Sequence, residues 1–96
     1  MARRSFLVET YFPREGGESR AEVVARAKTA ARSMRLEGVD VRYLRPIFVP
    51  EDETCFHLFE APSAQAVDHA SRLAALTYDR IVEAAGDGTP RGKETQ

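Results

Sequence analysis

The sequence predicts an α+β fold of order β-α-β-β-α-β, the split βαβ or ferredoxin-like arrangement. In it, one four-stranded antiparallel sheet carries two helices on one face. Three observations lead there. Two amphipathic helical stripes each open at a capping serine, Ser19 and Ser63. Each stripe stands between segments that alternate apolar and polar residues, the period of a strand. Pro46 interrupts the second such segment, which suits an edge strand, since proline cannot donate to a central ladder. Right-handed crossovers put strand two at an edge and strands one and three in the middle.

Taken in order, Ser5–Phe12 alternates and is rich in Phe, Val and Tyr, so it is strand one. Residues 13–18, Pro-Arg-Glu-Gly-Gly-Glu, form a loop of breakers. Ser19 with Glu22 three residues on reads as a capping box. Val23, Ala27, Ala30 and Met34 then make one helical stripe, and Gly38 supplies the left-handed cap that ends the helix. Val39–Val49 is strand two, bent at Pro46. Residues 50–53, Pro-Glu-Asp-Glu, turn the chain into strand three, Thr54–Glu60. Ser63 caps a second helix with Val67, Ala70, Leu73 and Ala74 as its buried stripe. Asp79–Ala84 is a short last strand. One domain therefore covers residues 1–85, and residues 86–96, with no large apolar side chain, read as a disordered tail dispensable for folding.

Composition excludes several classes of function. Net charge is −1, which gives no pull toward nucleic acid or anionic membrane. No segment approaches the apolar length of a membrane span. The lone cysteine cannot close an internal disulfide, so a reducing, cytoplasmic setting is the simpler reading. No Gly-rich phosphate loop is present, because Gly16-Gly17 lacks the lysine and the spacing.

Candidate chemistry gathers on strand three. Cys55 and His57, two residues apart, share a face of that strand. Phe6, Val8, Phe56 and Leu58 are assigned to the face under the helices. The opposite face then carries Leu7, Glu9, Tyr11, Cys55, His57 and Phe59. Exposed apolar side chains in a row call for a cover, and a second copy is the usual one, giving a dimeric α/β barrel. Cys55 and His57 suit nickel or zinc, and Glu9 could add an oxygen. The alternative is that Cys55 packs as a small hydrophobe and His57 is a hydrogen-bonded interface residue. Glu9 and His57 could also form an acid–base pair or a structural ion pair. Glu9, Tyr11, Arg42 and Phe59 would line a small-molecule pocket on the covered face, with weak catalysis as a further option. His69, beside Asp68 and Arg72, reads as a solvated histidine.

Several pieces resemble a known family. They are Phe-Leu-Val-Glu at 6–9, Val-Arg-Tyr-Leu-Arg at 41–45, Phe-Glu-Ala-Pro-Ser at 59–63 with Ala-Val-x-His-Ala at 66–70, and Asp-Arg-Ile-Val-Glu at 79–83. In order and spacing they are similar to a family of small actinobacterial ferredoxin-like proteins whose best-described type is a nickel-binding streptomycete protein. The resemblance implies a homodimer that binds Ni2+ and serves nickel homeostasis, a binding protein more than an enzyme.

Overall fold

The structure is a computed structural model that describes residues 3–85. The expected tail at 86–96 lies outside the described residues. Strand β1 is Arg4–Tyr11, helix α1 Arg20–Leu36, β2 Arg42–Val49, β3 Thr54–Ala61, α2 Ala64–Leu73 and β4 Tyr78–Ala84, with a 3-10 turn at Pro50–Asp52. The strands form one antiparallel sheet in the order β2-β3-β1-β4. β1 and β3 are central, and Pro46 sits on an edge strand, as its missing N–H requires. Among the described residues, no helix is long and apolar enough to cross a membrane.

Local chemistry sets the helix ends. The Ser19 hydroxyl accepts from the Glu22 N–H at 3.1 Å, and the Glu22 carboxylate accepts from the Ser19 N–H at 3.1 Å, closing the capping box. At the far end, Val39 N–H donates to Met34 C=O and Gly38 N–H to Arg35 C=O, with Gly38 at φ 90°. That is a Schellman cap on the residue type that adopts it without strain. Helix α2 opens on the Ser63 hydroxyl, 3.2 Å from the Ala66 N–H. It closes with the same motif, Leu76 N–H to Ser71 C=O and Ala75 N–H to Arg72 C=O. Here the left-handed residue is Ala75, at φ 58°. A Cβ in that region costs about 1–2 kcal/mol. Ala75→Gly should therefore raise stability by about 0.5–1 kcal/mol, read as a higher denaturation midpoint. A lower midpoint would show that the Ala75 methyl contributes packing.

Both helices cover the same face. Ala27, Ala31 and Met34 of α1 and Val67 and Ala70 of α2 join Phe6, Val8, Phe59 and Ala61 of the sheet in one core. A second cluster, Val23, Ala30, Ala74 and Leu76, closes the end beside Phe12. Leu73 departs from the sequence expectation, being 53% exposed. At about 100° per residue it lies roughly 90° from the line of Val67, Ala70 and Ala74. The buried position beside that line is Ser71, whose hydroxyl is satisfied by donating to Val67 C=O at 2.8 Å.

The faces of β3 are opposite to those predicted. The β1–β3 register pairs Phe6 with Phe59, Val8 with His57 and Thr10 with Cys55, so even-numbered residues of β1 share a face with odd-numbered residues of β3. Cys55, His57 and Phe59 thus lie under the helices, each 0% exposed. Phe56 and Leu58 lie on the open face with Leu7, Glu9 and Tyr11. Tyr43 faces inward across from Phe59, and a register shift between Tyr43 and Arg45 then ejects Leu44 and sends Pro46 and Phe48 inward.

Candidate functional site

The core holds one polar chain, built on the β2–β3 hairpin. Pairing sets Tyr43 across from Phe59 and Pro46 across from His57. The Tyr43 ring meets Phe59 edge-on at 5.1 Å and reaches past it, so that its hydroxyl lies 2.8 Å from His57 Nδ1. On the other side of the imidazole, Nε2 lies 3.5 Å from Cys55 Sγ. The Thr10 hydroxyl donates to Cys55 C=O at 2.9 Å. Two proton arrangements satisfy the chain. Cys55 S–H donates to Nε2 while Nδ1–H donates to the tyrosine oxygen, or Tyr43 O–H donates to Nδ1 while Nε2–H donates to sulfur.

Burial keeps every member neutral. It pushes His57 down from 6.5 to about 4, with the Arg26 charge adding to the effect. It pushes the Cys55 thiol up from 9.0 to about 11, against the opposing pull of hydrogen bonds from Ile47 and Thr10 and the charge of Arg20. Burial, and then the neighbouring Cys55, raise the Tyr43 phenol above its ordinary value. A neutral, dry chain fixes side chains and presents no nucleophile, because the reactive form of cysteine is the thiolate.

The open face is built differently. Its central row runs Arg45, Leu58, Leu7 and Val82 across the four strands, and the next row runs Ile47, Phe56, Glu9 and Arg80. Leu7, Leu58, Phe56 and Val82 are half-buried, and Ile47 is exposed, with no layer above them among the described residues. Glu9 accepts from Arg80 Nε at 2.7 Å, so its ion pair is with strand β4. Tyr11 is exposed, and Arg42 pairs with Asp40 at 3.2 Å.

The predicted site therefore divides in two. Cys55 and His57 do meet, but on the helix side, and the sheet separates them from Glu9. That rules out the Glu9–His57 pair as drawn from sequence. Glu9, Tyr11 and Arg42 share the open face, whereas Phe59, predicted beside them, is in the core. His69 is exposed on α2. Sequence reasoning missed Tyr43 as the partner of His57, because it set His57 on the open face, across the sheet from Tyr43.

Among the described residues, no three of His, Cys, Asp and Glu gather as an ion would require. Cys55 and His57 supply two donors already engaged with each other and with Tyr43. Five surface cavities of about 160 to 470 Å3 are lined by neither Cys55 nor His57.

Comparisons with known proteins agree with this architecture. The family described as "Nickel responsive protein SCO4226-like" matches residues 6–84. The crystal structure of SCO4226 from Streptomyces coelicolor A3(2) superposes with a TM-score of 0.64 at 21% identity, covering 88% of this chain and 99% of that one. At that identity the likeness shows the fold. No curated protein matches the chain.

Proposed function

Because this chain belongs to the SCO4226-like family of nickel-responsive proteins, we propose that it is a nickel-binding homodimer and not a catalyst, with the ion held where two open sheet faces meet. The family match across residues 6–84 carries the reading. Two features support its placement. A protein-held ion of this kind takes three or more protein donors, and the inner pair offers two. A second copy apposed on the open face brings its own donors to Glu9, which with Glu60 is one of two carboxylates one row from the middle of that face. Apposition would also bury Leu7, Leu58 and Phe56. Since these side chains are already partly covered, the gain is about 3–6 kcal/mol before the costs of association.

Titration calorimetry with nickel on untagged protein tests the reading. Wild type should saturate. Glu9→Gln should weaken binding by at least about tenfold, the loss of one charged donor. His57→Ala, checked for folding by circular dichroism, should still bind. Absence of saturable binding in the wild type ends the nickel reading. Loss of binding in folded His57→Ala returns the ion to the inner pair.

A further inference from the structure

We infer that the outer face of helix α1 carries an anion site for a phosphate-class ligand, formed by Lys28, Arg32 and Arg35 around a shallow cavity of about 270 Å3 floored by Ala31 and Tyr43. It is independent of nickel and lies on the far side of the sheet from the open face.

Charge distribution is the first ground. Helix α1 carries Arg20, Arg26, Lys28, Arg32 and Arg35 against one acid, Glu22, in a chain whose net charge is −1. Among the described residues, Arg3, Arg4, Arg26, Arg42, Arg72 and Arg80 each have a carboxylate partner, whereas Arg14, Arg20 and Arg45, scattered over the fold, do not. Among the described residues, Lys28, Arg32 and Arg35 have none. Their spacing makes this costly. Lys28 and Arg32 are four residues apart and Arg32 and Arg35 three, so like charges sit side by side on the helix surface. A bound anion removes that repulsion.

Geometry is the second ground. The three side chains line one concavity, where a shared ligand can meet them together. Arg35 is fixed in place, with one guanidinium nitrogen donating to Val41 C=O at 2.7 Å as β2 begins. Its other N–H groups remain for a ligand. Tyr43, two residues beyond Val41, closes the floor. A tetrahedral dianion has enough oxygens for an ammonium and two guanidinium groups, whereas a carboxylate offers two.

Free phosphate and the phosphate of a small ester share this chemistry, so the test uses both. Inorganic phosphate and glycerol 3-phosphate are titrated into wild type, Arg32→Ala and Arg14→Ala at about 0.15 M salt, where loose surface attraction is screened. Arg32 makes no hydrogen bond to the fold among the described residues, so Arg32→Ala should keep the wild-type melting temperature. Arg14 is exposed and lines other cavities, so it controls for general positive charge. The site predicts saturable binding of at least one probe, shifts of Tyr43 ring resonances on binding, and an affinity about tenfold or more weaker in Arg32→Ala alone. The tighter probe identifies the form the site takes. Failure of both probes to saturate, equal loss in Arg14→Ala, or no loss in Arg32→Ala overturns the inference.

Discussion

His57→Ala should destabilise the fold by about 2–4 kcal/mol, among the largest effects of any single substitution in this chain. The imidazole is fully buried, so its removal leaves a cavity. It also strands the Tyr43 hydroxyl and the Cys55 thiol, whose contacts at 2.8 and 3.5 Å are with this ring. Tyr43→Phe removes one of those contacts without a large cavity and should cost about 1 kcal/mol. Urea unfolding reads both as a lower midpoint with unchanged slope. If His57→Ala falls within about 0.5 kcal/mol of wild type, the size of an ordinary surface change, the chain does not hold the hairpin.

The same ring sets the acid limb of stability. The folded chain keeps His57 neutral down to about pH 4, whereas the unfolded chain takes up a proton below 6.5. In that window the unfolded state binds more protons, so stability falls as pH falls. The contribution is complete above 6.5 and is lost toward 4, on the order of 3 kcal/mol. Cys55 acts with the opposite sign at the alkaline end. The folded chain holds its proton up to about 11 and the unfolded chain releases it above 9.0, so stability falls as pH rises through that window. His57→Ala should flatten the acid limb and leave the alkaline one.

Leu58→Asp should turn a dimer into a monomer. Leu58 lies in the central row of the open face, beside Leu7 and Arg45. In the proposed dimer, its carboxylate replacement would be buried without a fixed partner, at a cost of about 3–4 kcal/mol, or a dissociation constant raised roughly 10²–10³-fold. Because the side chain faces away from the helices, the fold should survive with its helix content unchanged. Sedimentation at micromolar concentration should show wild type as a dimer and Leu58→Asp as a monomer. Equal sedimentation of the two would remove the open face from the interface.

These two residues also show what was legible in the sequence. The helices could be read because their signals are local. Ser19 with Glu22, Ser63 and Gly38 each act within a turn of their own position, and each occupies the predicted cap. Pro46 announced an edge strand by a property of its own backbone. The faces of the sheet were another matter. β3 has apolar residues on both sides, Cys55 and Phe59 on one and Phe56 and Leu58 on the other, so hydrophobicity alone does not choose between them. The choice rests on register with β1, a contact between residues some fifty positions apart. The shift at Leu44 then turns Pro46 and Phe48 inward and Arg45 and Ile47 outward, because one displaced residue reverses every side chain after it. Cys55 and His57 were therefore correctly placed together and incorrectly placed outward.

Nickel titration of the Leu58→Asp monomer, set against the wild-type dimer, reaches the central claim most directly. If the ion is held between two open faces, the wild type binds it saturably, with at most one ion per chain. The folded monomer should then lose that binding by two orders of magnitude or more, following the loss of the dimer. A folded Leu58→Asp monomer that binds nickel with wild-type affinity would contradict it, and would place the whole site within a single chain.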